Sequence, residues 1–547
     1  MTEWTRMSYA AADRSVPILS MTAGDALRRA ADLAADSTAM VELAPPGFAS
    51  LTGADATDRR WTYRALLADA ELCASFLLER FAPGDRICLW APNLPEWVIL
   101  QYGAALAGIV LVTANPALRE SELRHVLRQS KARALIHVDA FRGSDMAAIA
   151  AAVADEVGET ISLSNWPALM AAPARGDLPQ VGARSPAQIQ FTSGTTGQPK
   201  GALLHHEGLV TNAAFVAARL GQDRDVVVMP MPLLHTAGSV LGVLGCVTTL
   251  STLLLPVMFD PALILAAVER ERAAILSGVP TMFVALLEQQ RHSRFGLSSL
   301  RATLSGGSLV APELRRRLEE EFGFSPMTVY GQTELSPIVC QTAHDDPPTA
   351  KSETVGRPLP QVEVRIADPA TGETLPVSVE GEIQARGYQA MLGYYGQPEA
   401  TAKTLLADGW LRTGDLGTMD DELYVRVTGR LSDMIIRGGE NIYPAEIEAE
   451  LLRHPAVAEA AVFGLPDPHW GEIVAAAVRV APGAEPPAAD ELKGHVRALL
   501  APQKTPSTWF LVEALPLTGS GKVQKFALRD SALSGELKPL GAAEEMG

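Results

Sequence analysis

The densest chemistry in the chain lies in the run Thr192-Ser193-Gly194-Thr195-Thr196-Gly197-Gln198-Pro199-Lys200-Gly201, preceded by the strand-like Ala187-Gln188-Ile189-Gln190-Phe191. Its glycines let the backbone approach an anion with no Cβ in the way. Four hydroxyls and one ammonium offer donors and charge to phosphate oxygens. That combination is a polyphosphate cradle. It is not the commoner nucleotide loop, which needs G-x-x-x-x-G-K followed by Ser or Thr, because Gly197 is followed by Gln198-Pro199-Lys200-Gly201. No G-x-G-x-x-G follows a strand and opens a helix either.

Four further runs carry chemistry. They are Tyr330-Gly331-Gln332-Thr333-Glu334, the tract Gly409-Trp410-Leu411-Arg412-Thr413-Gly414-Asp415 with Thr428-Gly429-Arg430, the run Ile436-Arg437-Gly438-Gly439-Glu440, and Thr518-Gly519-Ser520-Gly521-Lys522. Together with the cradle, and in this order, they resemble the adenylate-forming superfamily. That superfamily includes acyl-CoA synthetases, firefly-type luciferases and peptide-synthetase adenylation domains. The resemblance spans nearly the whole chain, from about Ala26 to Leu528.

It implies an ATP site made by Thr192, Ser193, Gly194, Thr195, Thr196, Gly197, Lys200, Gly306, Gly307, Tyr330, Gly331, Gln332, Thr333, Asp415, Arg430 and Lys522. In that site Tyr330 stacks on adenine, Thr333 lies near the α-phosphate and Glu334 binds Mg²⁺. A hard divalent cation takes carboxylate and phosphate oxygens and offsets charge that would repel an attacking carboxylate. Asp415 takes the ribose hydroxyls, with Arg430 beside it. Lys522 becomes the adenylation lysine, bridging the substrate carboxylate and the α-phosphate. A flexible ammonium can track charge that shifts between them in the transition state.

Coenzyme A is implied as co-substrate by Gly438, Gly439 and Glu440, with Gly439 as a wall of the tunnel for the pantetheine thiol. Trp470, in Asp467-Pro468-His469-Trp470-Gly471-Glu472, either packs against the CoA nucleotide or serves as an ordinary packing indole. Ser432 departs from the pattern: family members usually carry Asp or Lys at this hinge, so a charged hinge switch is not expected here.

Pro230-Met231-Pro232-Leu233-Leu234-His235-Thr236-Ala237-Gly238 resembles the tract lining the acid pocket, with His235 at its gate and Thr236, Ala237 and Gly238 behind it. From Val226 to Met258 there is no Asp, Glu, Lys or Arg. An amino-acid substrate would need a buried carboxylate for its ammonium, because an unpaired buried charge is very costly. The pocket therefore suits a fatty or other hydrophobic acid, with aryl acids open.

The elements that must position these groups follow from pattern and composition. At 547 residues the chain exceeds one hydrophobic core. Up to about residue 180, helical patterns alternate with short apolar runs such as Ile87-Cys88-Leu89-Trp90 and Ile109-Val110-Leu111-Val112. Between these two runs a helix starts near Pro95 and stops at Gly108. Such alternation predicts a parallel sheet.

We expect an α/β protein. Its N-terminal domain, 1–429, comprises parallel-sheet subdomains over about 1–185 and 186–345 and a small barrel or distorted sheet over 346–429. A mobile α+β lid domain, 430–547, follows, ending in a disordered tail after about Ala532. The uncharged stretch Ala237 to Phe259 is long enough to span a bilayer, but its Gly and Pro punctuation reads as a buried helix turning into a buried strand.

The formal net charge of −17 works against nucleic acid and anionic lipid as partners, and leaves a homodimer open. Four scattered cysteines suggest neither zinc site nor disulfide framework, and the N-terminus lacks the apolar run of a signal peptide, so a cytoplasmic protein is expected. The residues imply an ATP-dependent acid:CoA ligase. The readings left standing beside it are an adenylating enzyme that loads a carrier protein, a luciferase-like oxygenase, and a non-catalytic sensor that keeps the fold.

Overall fold

The computed structural model describes residues 6–53, 59–171, 177–192, 199–306, 310, 312–323, 326–438, 440–517 and 523–540. The run Ile87 to Trp90 is apolar without alternation because its strand, Arg86–Trp90, is covered on both faces, as parallel strands are. It lies in a seven-stranded sheet. Strands Glu159–Ser162, Ala134–His137, Arg86–Trp90, Val110–Ala114 and Pro186–Thr192 run parallel, then Lys200–His205 and Gly393–Tyr394 follow antiparallel. The expected helix is Pro95–Ala107, opened by its proline and closed by Gly108 at φ 68°, a left-handed cap.

A nine-stranded sheet holds the parallel strands Thr38–Leu43, Thr252–Pro256, Val226–Val228, Ile275–Gly278, Ala302–Ser305 and Met327–Gly331. Antiparallel strands Arg60–Thr62, Ile338–Gln341 and Arg357–Pro358 lie at its edges. The expected spans 1–185 and 186–345 therefore do not each own a sheet. Strands from residues 38–62 belong with the second sheet, and Pro186–Thr192 and Lys200–His205 belong with the first. Periodicity finds strands but not their partners, and Thr38–Leu43 pairs with Thr252–Pro256, far along the chain.

The barrel-like part is a five-stranded antiparallel sheet in the order Tyr9–Ala10, Val362–Ala367, Gly381–Gly387, Leu411–Met419, Val425–Arg430. The uncharged stretch becomes a π-helix, Ala237–Leu244, a short α-helix, Gly245–Thr248, and the buried strand Thr252–Pro256. No helix of the described residues is long and apolar enough to cross a membrane.

Residues beyond Arg430 form a sheet of Glu440–Ile442, Ile435–Arg437, Gly471–Val480 and Val457–Asp467, with Thr508–Leu511 joined parallel to Gly471–Val480. Its cores include Ile447, Leu451, Val474 and Trp509 on one side and Phe463, Phe510 and Leu528 on the other. The tail expected to be disordered after Ala532 is held as far as residue 540. The helix Lys525–Ser534 runs through it, Leu537 and Leu540 pack on the two cores, and the Leu540 amide donates to the Trp509 carbonyl at 2.7 Å.

One buried ion cluster ties the helix Pro95–Ala107 to the strand Thr38–Leu43. The Glu96 side chain is fully buried and accepts from Arg59 at 2.6 Å and from the Thr52 hydroxyl at 2.9 Å, while Arg59 also bonds Glu42 at 2.7 Å. Arg59→Ala strands two carboxylates without their cation, a loss of about 3–5 kcal/mol. Denaturant unfolding should show it, and an unchanged midpoint would contradict the cluster's role.

Candidate active site

Where the two large sheets and the antiparallel sheet meet, strand ends surround a cavity of about 620 Å³. The hairpin Pro186–Thr192 and Lys200–His205, whose paired ends are Thr192 and Lys200, brings both residues to it. Met327–Gly331 delivers Gly331, and the 3₁₀ turn Thr333–Leu335 that follows delivers Thr333 and Glu334. Gly331 is required there by closeness: a Cβ would sit 1.9 Å from the Pro337 carbonyl oxygen. Gly306 follows Ala302–Ser305 into the same wall, and His235, Thr236 and Ala237 enter at the start of the π-helix. Gln332, Arg430 and Ser432 line it as well.

Twelve of the residues singled out in the sequence thus share one cavity. Others lie elsewhere. Gly238 does not line the cavity; it faces the Pro232–Leu233 backbone, where a Cβ would lie 2.4 Å from the Pro232 oxygen. Gly438, Glu440 and Trp470 sit in the C-terminal sheet region, outside the cavity. Ser193, Gly194, Thr195, Thr196, Gly197, Gly307, Gly439 and Lys522 lie outside the described residues.

Behind the cavity wall, Asp415 and Arg430 are direct cross-strand partners. Arg430 Nε donates to Asp415 Oδ1 at 2.7 Å and the Tyr330 hydroxyl donates to Oδ2 at 2.9 Å. Burial and the neighbouring carboxylate push the Tyr330 phenol well up. For Arg430, burial pulls the guanidinium down, but the charge and hydrogen bond of Asp415 outweigh it and the net direction is up. Tyr330 stays a neutral donor and Arg430 stays charged. Asp415 lies within a strand, Leu411–Met419, beside a left-handed Gly414, rather than in an open turn.

Glu334 is also buried, and its Oε1 accepts from the Tyr394 hydroxyl at 2.8 Å and from the Thr192 hydroxyl at 3.4 Å. Burial and Glu334 raise the Tyr394 phenol, which keeps its proton for that bond. Oε2 has no hydrogen-bond partner among the described residues. Those residues hold no cluster of three metal-ligating side chains. A single carboxylate fits Mg²⁺, which takes one or two protein carboxylates and fills its shell with phosphate oxygens and water.

Sequence reasoning missed Glu382, Arg412 and Tyr394. Glu382 is 1% exposed, pairs with Arg412 at 2.8 Å and accepts from the Gly414 amide at 3.2 Å. The Thr413 hydroxyl donates to the Ile383 carbonyl at 2.6 Å and accepts from the Asp415 amide at 3.0 Å. Strand Gly381–Gly387 therefore sets the position of Asp415. The strand reads Gly-Glu-Ile-Gln-Ala-Arg-Gly, an ordinary polar and apolar alternation that gives no local sign that its glutamate is buried at the site. At the position read as a hinge, charge enters one residue beyond Ser432: its hydroxyl donates to Asp433 at 3.1 Å, and Asp433 faces Lys525 at 3.9 Å.

Trp470 is 44% exposed, with the Arg437 guanidinium 5.1 Å from its ring centre. It also covers Gly438, whose φ of 61° and lack of Cβ leave room for the indole. A packing role is visible, and an exposed surface of the ring remains.

Residues 27–395 match the family model described as AMP-binding enzyme, and residues 446–522 match that of the AMP-binding enzyme C-terminal domain. The mitochondrial medium-chain acyl-CoA ligase ACSF2 of Mus musculus is 36% identical over 86% of this chain and 83% of its own length. The acyl-CoA ligase SID4 of Ajellomyces capsulatus is 36% identical over 87% of each. Among solved structures, ATP-bound MatB from Rhodopseudomonas palustris aligns with a TM-score of 0.83 at 29% identity, covering 93% of this chain and 99% of that one. The o-succinylbenzoate CoA synthetase MenE of Bacillus subtilis, bound to its acyl-adenylate, aligns at 0.80 and 28% identity, covering 94% and 98%.

Glu382→Ala should lower kcat/KM for ATP by roughly 10- to 100-fold, because a small misplacement of a binding group is that costly. Glu382→Gln should recover part of it, and KM for the organic substrate should hardly change. Equal losses toward both substrates would show a merely structural role.

Proposed function

This chain belongs to the AMP-binding enzyme family, and from that premise we propose that it is an ATP-dependent acid:CoA ligase acting on a medium- or long-chain fatty acid or a comparable apolar acid. The carrying observation is that one cavity joins an apolar wall, with Met229, Met231, Leu241, Val279 and Ile338, to a polar end with Lys200, Thr333, Glu334 and Arg430. Among the described residues, the carboxylates on that cavity are Glu334 and Glu382, and both are engaged by other side chains. Glu382 is neutralised by Arg412, and Glu334 is the carboxylate this reading gives to Mg²⁺, so a substrate ammonium would find no further counter-charge, which argues against amino acids.

In the proposed reaction a carboxylate oxygen attacks the α-phosphorus of ATP, and the bond to the β-phosphate oxygen breaks. Pyrophosphate departs and the mixed anhydride acyl-AMP remains. The CoA thiol, losing its proton, then attacks the acyl carbon and AMP leaves with the bonding electrons. Lys200 and Thr192 bind and orient phosphate oxygens. Asp415, fixed by Tyr330 and Arg430, takes the ribose hydroxyls on its remaining lone pairs, and Arg430 keeps its charge beside them. Glu334, held by Tyr394, is the carboxylate for Mg²⁺; the bound ion supplies positive charge that lowers repulsion between the triphosphate and the incoming carboxylate. His235 gates the acid.

We assign the adenylation step to Lys522 and the thiol tunnel to Gly439. Both lie in the C-terminal region beyond the Ser432 hinge, so its rotation between the two steps is part of the reading. A reducing, cytoplasmic setting agrees with four buried, unpaired cysteines.

A pyrophosphate-release assay over fatty, aryl and amino acids, with and without CoA, tests the proposal. Fatty acids should give release and CoA should permit turnover. Preference for benzoates would make it an aryl-acid ligase, and release with full indifference to CoA would favour a carrier-protein loader. Lys522→Ala should abolish adenylation while sparing thioester formation from supplied acyl-AMP, and Gly439→Leu should do the reverse. Equal loss of both steps in either variant would remove the division of labour.

A further inference from the structure

The π-helix Ala237–Leu244 presents two neighbouring faces. Ala237 and Leu241 line the cavity, while Gly238 and Gly242 face the segment from Met229 to Leu233. These glycines let that segment lie directly on the helix. At Gly238 the close neighbour is backbone, the Pro232 carbonyl at 2.4 Å from an added Cβ. At Gly242 it is a flexible side chain. An added Cβ would stand 2.5 Å from Met229 Cγ, 3.3 Å from its Cβ and 3.4 Å from its Cε. Met229 is 2% exposed, yet it also lines the cavity. Its side chain thus lies between a notch at Gly242 and the space where the acid's tail would run.

From this juxtaposition we propose that Met229 and Gly242 set the length of acid the enzyme accepts, Gly242 by seating Met229 out of the tail's path. The proposal rests on the apolar-acid reading above. A Cβ at position 242 and the present Met229 side chain cannot coexist. The residues flanking them on the strand and the helix, Val228, Val240 and Val243, are packed core residues. Interiors are close-packed, so the open volume within reach is the cavity itself. Methionine, unbranched and with three rotatable side-chain bonds, turns into it at small cost. The cavity then shortens by a few methylenes at its apolar end, while the phosphate end keeps its shape.

The experiment measures kcat/KM of the full-length protein for straight-chain acids graded from short to long, in wild type, Gly242→Ala, Met229→Ala and the double variant. One methylene in an apolar pocket is worth about 10-fold or more. Gly242→Ala should therefore lose at least that factor on the longest acids the wild type accepts, and much less on the shortest. Met229→Ala should move the optimum toward longer acids. In the double variant long acids should recover relative to Gly242→Ala, because the clashing side chain is gone, and KM for ATP should stay at its wild-type value throughout.

A profile in Met229→Ala parallel to wild type overturns the proposal, and this variant decides alone if Gly242→Ala does not fold. Long acids as poor in the double variant as in Gly242→Ala overturn it too. If no straight-chain acid releases pyrophosphate from the wild type, the apolar-acid reading falls and takes this one with it. Activation of acids with an unshifted profile sinks the Met229–Gly242 pair alone.

Discussion

A carboxylate removed from water must be met by donors, and at Asp415 those donors come from two different sheets. Tyr330 stands at the end of a strand in the nine-stranded sheet, and Arg430 at the end of the last strand in the five-stranded one, immediately before the hinge. The pairing is enforced by the energetics of burial: taking away either partner leaves the buried Asp415 carboxylate short of a donor. One side chain therefore registers the nine-stranded sheet, the antiparallel sheet and the start of the C-terminal region against one another. Glu334 with Tyr394 and Glu382 with Arg412 repeat the arrangement, each acid held by a donor from a separate strand. Dipoles and charges fixed in this way need not reorganise when phosphate charge shifts, which is the main electrostatic means of lowering a barrier.

The opposite end of the cavity is built from space rather than charge. A π-helix widens its turn relative to an α-helix, and such segments recur at functional sites. Here it carries glycines where the segment Met229 to Leu233 crosses it, and Ala237 and Leu241 where it faces the cavity. The buried polar atoms it needs are anchored away from the cavity: Gln190 donates to the Ser239 hydroxyl at 3.1 Å and Gln101 to the Ser239 carbonyl at 3.0 Å.

Much of this was legible in the sequence where chemistry depends on several particular residues close together. Thr192 and Lys200 at the two ends of the hydroxyl-rich run, the Thr333-Glu334 pair, the tract at His235 and the pairing of Asp415 with Arg430 needed no knowledge of sheet order. Glu382, Tyr394 and Met229 were not legible, because each sits in or beside a strand whose local pattern is ordinary and becomes part of the site through contacts far away in the chain. The tail after Ala532 was misread for a related reason. Single apolar residues such as Leu537 and Leu540 carry no periodicity, yet each finds a slot and a backbone partner. Ser432 was read as a hinge without charge, while the neighbouring Asp433, facing Lys525, carries one.

The crossing of the chain between its sheets bears on how the protein is made. Strand Thr38–Leu43 finds its parallel neighbour only at Thr252–Pro256, and Tyr9–Ala10 waits for Val362–Ala367. A nascent chain emerging from the ribosome therefore holds unpaired, apolar strand edges through much of its synthesis, and non-local pairing of this kind is slow and exposed to aggregation. The C-terminal sheet, drawn wholly from residues 435–511, carries no such delay. The chain thus assembles its larger part late and nearly at once, and its smaller part last and locally, from strands that need no partner elsewhere in the sequence.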